Sequence, residues 1–137
     1  MTNDRKKCYA VLMTQQQIIV HWRKGAQDSI EVARMCLEAQ KYEHAFFHCH
    51  LAIEKALKAT YMDQHGKDHP YTHDLPYLAS LVDHHLAAED VALLKELTAF
   101  VTDARYSDPY WAQEQATKEN TRRWVEVAER MLSQLLP

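Results

Sequence analysis

His50, Glu54, Lys58 and Tyr61 follow one another at steps of four, four and three residues. On an α-helix a step of four turns by about 40°, so these side chains make one nearly straight polar ladder. An imidazole, a carboxylate, an ammonium and a phenol on one face can hold a proton, a phosphate or a polar ligand. On a solvated face the same spacing gives only an i,i+4 Glu–Lys ion pair, worth about 0.2–0.5 kcal/mol. The neighbours separate the two readings. Glu54 lies inside the otherwise apolar run from Leu51 to Ala59, where a buried charge must find partners.

Three further groups carry chemistry. Thr72-His73-Asp74-Leu75 follows a glycine turn and adds an imidazole and a carboxylate; as Thr-x-Asp before an apolar segment it also fits ordinary helix capping. Arg105-Tyr106 sets a guanidinium fork suited to phosphate beside an aromatic face able to stack on a base, or an arginine that neutralises helix-terminal carbonyls. His44 and His48 stand four apart and could share a metal. His50, His84 and His85 stand elsewhere with acids nearby, but a helical-bundle site takes matching ligands from a second helix, and with no Glu-x-x-His in the other helices, surface or interface histidines are the better reading. We expect no metal and no cofactor.

The elements that must position these groups are helices. Ile18, Trp22, Ala26, Ala33 and Leu37 recur at helical spacing behind Thr14, a suitable N-cap, so a first helix is predicted over about residues 15–39. Gly25 weakens it by roughly 1 kcal/mol relative to alanine unless a packing contact offsets the loss. A second helix is predicted from Lys41 to Gly66, with a stripe of small residues, Ala45, Cys49, Ala52, Ala56 and Ala59, that lets a neighbouring backbone approach closely. Pro70 marks a polar loop, and Asp74 or Thr72 can cap a short third helix with Pro76 in its first turn, carrying Leu75, Leu78, Val82 and Leu86. Val91, Leu94, Leu97 and Val101 define a fourth. Ser107-Asp108-Pro109 opens a fifth, expected to run on through Ala112, Ala116, Trp124, Val127, Met131 and Leu135.

Five amphipathic segments on short connections can hide their apolar stripes only by packing side by side. The fold class is all-α: an up-and-down bundle of four long helices plus one short one. Two glycines, four prolines and 47% hydrophobic residues in 137 agree with few turns and one core. We expect a single domain over residues 1–137, with 1–13 a frayed N-terminal extension or an ordinary first turn.

A net charge of −3 with acids and bases interleaved excludes a broad basic field, so any RNA contact must be local. Cys8, Cys36 and Cys49 are an odd, widely spaced set that suits reduced thiols better than a disulfide framework. No run approaches the 18–20 apolar residues of a membrane span and no signal-peptide pattern opens the chain. A cytoplasmic protein is expected, with no membrane contact.

Tyr42 to Ala59, with Glu54, Lys55, Lys58 and Ala59 forming a Glu-Lys-x-x-Lys-Ala element, followed by His73-Asp74-Leu75, resembles the core motif of HEPN domains, named for nucleotide binding in higher eukaryotes and prokaryotes. Trp22, Ala26 and Asp28 resemble the family's first-helix pattern. Ala104-Arg105-Tyr106-Ser107-Asp108 resembles its Arg-Tyr-Pro-Asp element, with Ser107 in place of proline. The resemblance covers about residues 18–135.

It implies a nucleotide- or RNA-binding and interaction module, a homodimer, and a minimal nucleotidyltransferase as partner in a toxin–antitoxin-like pair. Glu54, Lys58, His73, Asp74, Arg105 and Tyr106 would then line the contact region. Many HEPN proteins are metal-independent ribonucleases that use Arg, four to six residues, then His. This chain lacks that pair: after Arg34 the next histidine is His44, none follows Arg105, and the nearest formal match has Gln64 in place of the arginine before His69-Pro70-Tyr71. No catalytic residue is therefore assigned. A ribonuclease that uses His73 or His69 and a purely structural bundle are the alternatives.

Overall fold

The computed structural model describes residues 13–106 and 109–137, with the backbone alone described at 103–106, 109, 111 and 112. Residues 1–12 of the expected extension and the expected cap Ser107-Asp108 lie outside the described residues.

Helix α1 spans Gln15–Glu38. Thr14 caps it as expected: its hydroxyl accepts from the Gln17 N–H while the Gln17 side chain accepts from the Thr14 N–H, a reciprocal capping box. Its inner face carries Ile19, Ala26, Ile30, Ala33 and Leu37. The helix closes on Gln40 at φ 62°, with Lys41 N–H bonded to Cys36 O and Gln40 N–H to Leu37 O. This is a Schellman turn with glutamine in the left-handed position usually taken by glycine, and it reverses the chain directly into the next helix.

Helix α2, Tyr42–His65, is the hub of the bundle and packs against α1 and three later helices. Its small stripe, Ala45, Cys49, Ala52, Ala56 and Ala59, is wholly buried, flanked by Phe46, Ile53 and Leu57. Gly66 ends it in the left-handed conformation at φ 67°. The contact anticipated at Gly25 is the stem of Lys55: a Cβ at Gly25 would come within 3.3 Å of Lys55 Cδ, and Lys55 Nζ reaches across to donate to Ser29 Oγ at 3.1 Å.

Helix α3, Leu75–Ser80, is capped by Asp74, whose side chain accepts from the Tyr77 N–H. Val82 and Leu86, expected on this helix, lie beyond it and are still buried. The helix stops because α2 captures the backbone that would continue it. Gln64 both donates to Asp83 O and accepts from Asp83 N–H, and His65 Nε2 donates to Leu81 O.

Helix α4, Ala88–Tyr106, buries Leu94, Leu97 and Phe100. The predicted single last helix is in fact two, α5 (Pro109–Gln115) and α6 (Lys118–Leu135). Thr117 is extended at φ −82°, ψ 160° and caps α6 through the Asn120 N–H, while Asn120 Nδ2 donates back to Gln115 O at 2.8 Å. A cap wins over continued apolar spacing at this point, because it satisfies donors that a new helix N-terminus would otherwise leave open.

The described residues thus form six helices and no strand. Long helices α1, α2, α4 and α6 make the bundle. Phe46 stacks on Phe100 at 4.1 Å between ring centres and meets Trp124 at 6.3 Å, tying α2, α4 and α6 together. Ion pairs Arg34–Glu129 and Arg130–Asp90 clamp α6 to α1 and α4.

Candidate functional site

Glu54 is buried on α2 with a side chain only 7% exposed, so its charge requires local partners. It has them. Lys58 Nζ, itself buried, donates to Oε2 at 3.1 Å, and His73 Nδ1 lies 2.9 Å from Oε1. His50 Nδ1 stands 3.7 Å from the same oxygen. The ladder is an internal cluster and not a solvated face.

Hydrogen-bond chemistry fixes which nitrogens carry protons. A carboxylate only accepts, so His73 donates from Nδ1 to Glu54; a carbonyl only accepts, so His50 donates from Nε2 to His73 O at 3.0 Å. The loop between α2 and α3 is therefore pinned to α2 twice at one residue, through its side chain and through its carbonyl. His73 is otherwise 85% exposed. With Nδ1 committed to Glu54, its second nitrogen is the one left to act on a ligand or a proton.

His73, Glu54 and His50 form the polar end of a cleft of about 220 Å³ whose remaining walls are Phe47, Leu51, Val101 and Thr102. Helix α2 supplies one wall, α4 the other, and the loop before α3 supplies the imidazole. Apolar walls with a few convergent polar groups are what a small planar ligand needs for burial and orientation. The Glu54 charge is balanced by Lys58, so the cleft is not repulsive to an anionic ligand through an uncompensated carboxylate.

The expected site residues separate into groups. Glu54 and His73 meet in the cleft. Lys58 stands behind Glu54, with Nζ 5.8 Å from the centre of the Trp22 ring, and supports the carboxylate without lining the cleft. Asp74 is turned away as the cap of α3, its Oδ1 accepting from Tyr77 N–H at 3.1 Å. Arg105 and Tyr106 lie on the α4 backbone about one turn beyond Val101 and Thr102; their side chains lie outside the described residues. Tyr61, the last rung of the ladder, packs on His65 at 4.4 Å and takes no part in the cluster.

Among the described residues no group of three or more His, Cys, Asp or Glu side chains, around His44 and His48 or elsewhere, is placed to hold a metal. Burial, then the nearby Lys55 and His44, hold the His48 imidazole below its ordinary pKa. Burial pushes the Cys49 thiol up to about 12, which removes the thiolate needed for nucleophilic chemistry. Among the described residues no helix is long and apolar enough to cross a membrane.

The family model of the HEPN domain matches residues 19–136, and the chain belongs to the HEPN domain family. Two solved structures share the fold. TT1696 from Thermus thermophilus is 20% identical with a TM-score of 0.74, over 85% of this chain and 94% of that one. ST0689, an archaeal HEPN homologue, is 24% identical with a TM-score of 0.66, over 84% of this chain and 92% of that one. Among curated proteins, none matches the chain.

Proposed function

We propose that this HEPN-domain protein is a nucleotide- or RNA-binding module whose contact region is the cleft closed by Glu54 and His73. The observation that carries this reading is the buried Glu54 carboxylate held between Lys58 and His73, which orients an exposed imidazole at the polar end of an otherwise apolar cleft. A base or ribose fits the walls. The outward nitrogen of His73 serves as its hydrogen-bond partner, and Arg105, about one turn beyond Val101 on α4, is the candidate phosphate contact that the family resemblance implies. The protein acts in the cytoplasm as a homodimer, and its partner is a minimal nucleotidyltransferase; family membership supports both statements. Calorimetric titration with AMP and ATP tests the reading: binding is expected, and His73→Ala should weaken it about two- to tenfold, the loss of one hydrogen bond to an uncharged group. No heat of binding at high protein concentration, together with no transferase co-purifying, would remove it.

One observation favours a second reading. A carboxylate that fixes an imidazole through Nδ1 and leaves the other nitrogen free is an arrangement suited to general acid–base work, so His73 could serve a metal-independent ribonuclease. That reading requires RNA cleavage in the presence of a chelator, abolished in His73→Ala. An inert wild type eliminates it.

A further inference from the structure

Trp22, His69 and Tyr71, the last two shortly before His73 in the chain, form an aromatic run that the proposed binding of one nucleotide does not use. The Trp22 and His69 rings lie 4.5 Å apart at 54°, and His69 meets Tyr71 edge-on at 5.5 Å. Tyr71 is 94% exposed. An isolated exposed tyrosine is unremarkable, but this one is held in place. The Thr72 N–H bonds to Pro70 O at 3.1 Å, closing a tight three-residue turn with Tyr71 at its apex. His69 Nδ1 donates to Pro70 O at 3.0 Å, Asp74 N–H to Thr72 Oγ1 at 3.1 Å, and the next residue, His73, is fastened to Glu54 and His50. These bonds brace the backbone under Tyr71 without a ligand, which lowers the entropic cost of presenting the ring.

We propose that Tyr71, backed by His69 and Trp22, is a stacking platform for an unpaired base of single-stranded RNA whose neighbouring nucleotide occupies the Glu54–His73 cleft. The proposal rests on the reading of the cleft above. Tyr71 and His73 are two residues apart, at most about 7 Å along the backbone, so both groups can serve adjacent units of one strand. Every base offers a π-face, and stacking of this kind is tolerant of sequence. It also suits a chain with net charge −3, which has no basic field to grip the backbone; the gain from Tyr71 should change little between roughly 50 and 200 mM salt, since stacking releases no counterions.

The test compares AMP with a hexa-adenylate RNA on the full chain, by calorimetry and by fluorescence anisotropy of the 5′-labelled oligomer. The oligomer should bind about 5- to 150-fold tighter than AMP, the range for one stacked base. Tyr71→Ala should erase that gain and leave AMP affinity unchanged, while Tyr71→Phe keeps it. An oligomer no tighter than AMP, or one bound equally well by Tyr71→Ala, overturns the platform alone if AMP still binds in a His73-dependent way. A wild type that binds neither ligand overturns the cleft reading and the platform with it. Co-purification of a protein partner that is lost in Tyr71→Ala, with oligomer affinity unchanged, assigns the surface to protein and also overturns the platform.

Discussion

Glu54 is the residue on which the site depends, because removing it strands a buried ammonium. Glu54→Ala should destabilise the fold by about 3–5 kcal/mol, the cost of breaking a buried pair from one side, measured as the shift in urea unfolding. Replacing both partners, Glu54→Leu with Lys58→Met, should recover most of that loss while removing the anchor of His73. A single variant no less stable than wild type would show that the pair is solvated after all.

His48 makes a prediction of opposite origin. Its folded pKa lies below the ordinary value, chiefly through burial, so the unfolded chain takes up the proton first as pH falls. The contribution is therefore complete above the ordinary imidazole value of about 6.5 and is lost as pH falls through the folded value. His48→Gln should show a shallower loss of stability below pH ~6.5 than wild type in thermal melts at a series of pH values; identical slopes would contradict it.

The sequence shows the ladder on α2 plainly, since spacing alone puts His50, Glu54 and Lys58 on one face. It does not show that His73 closes on Glu54. That contact depends on the path of the loop after Gly66, which no periodicity encodes, and only family resemblance set the two motifs side by side. The bond from His50 to the His73 carbonyl carried no signal at all. Asp74 was legible as a cap from its place before Leu75-Pro76, and a side chain that caps has no freedom to line the cleft.

At the scale of elements, close packing of α1 on α2 turns on Gly25 and the stem of Lys55. Gly25→Ala gains up to about 1 kcal/mol of helix propensity, while its Cβ, 3.3 Å from Lys55 Cδ, asks a flexible side chain to move by tenths of an ångström. We expect net stabilisation below about 1 kcal/mol for alanine, and destabilisation for Gly25→Leu, whose bulk would push Lys55 off Ser29. Chemical denaturation of both variants checks the signs.

Helix ends were read well where capping chemistry was unopposed, as at Thr14 and Gly66, and missed where it competed with apolar spacing. Ala112, Ala116 and Trp124 read as one continuous stripe, yet Thr117 interrupts it, and Glu119 in the first turn of α6 was the available signal. Thr117→Ala should cost about 0.5–2 kcal/mol through the lost cap. A neutral result by denaturant unfolding would mean that the junction is held by Asn120 and packing instead. Val82 and Leu86 were placed on α3 for the same reason, correct in burial and wrong in helix, because the hydrogen bonds from Gln64 end α3 and have no trace in local spacing.

Across the whole molecule the bundle sets α2 at the centre, so that one helix both carries the core and delivers the site. Its small stripe is buried, and its polar residues His50 and Glu54 meet the cleft between α4 and the loop before α3. On the proposed reading stability and binding are coupled through Glu54, while Tyr71, which is exposed, stands outside the core and should be alterable without unfolding it.

On the proposed reading a nucleotide sits against His73 and His50 at the Glu54 cleft. The most direct measurement is a nitrogen-edited NMR spectrum of the imidazole rings on titration with AMP. His73 and His50 should shift together and saturate with one affinity, while His84 and His85, in the segment fastened to the far end of α2 by Gln64 and His65, stay where they are. Shifts confined to His84 and His85, or none in any ring at saturating AMP, would contradict the account.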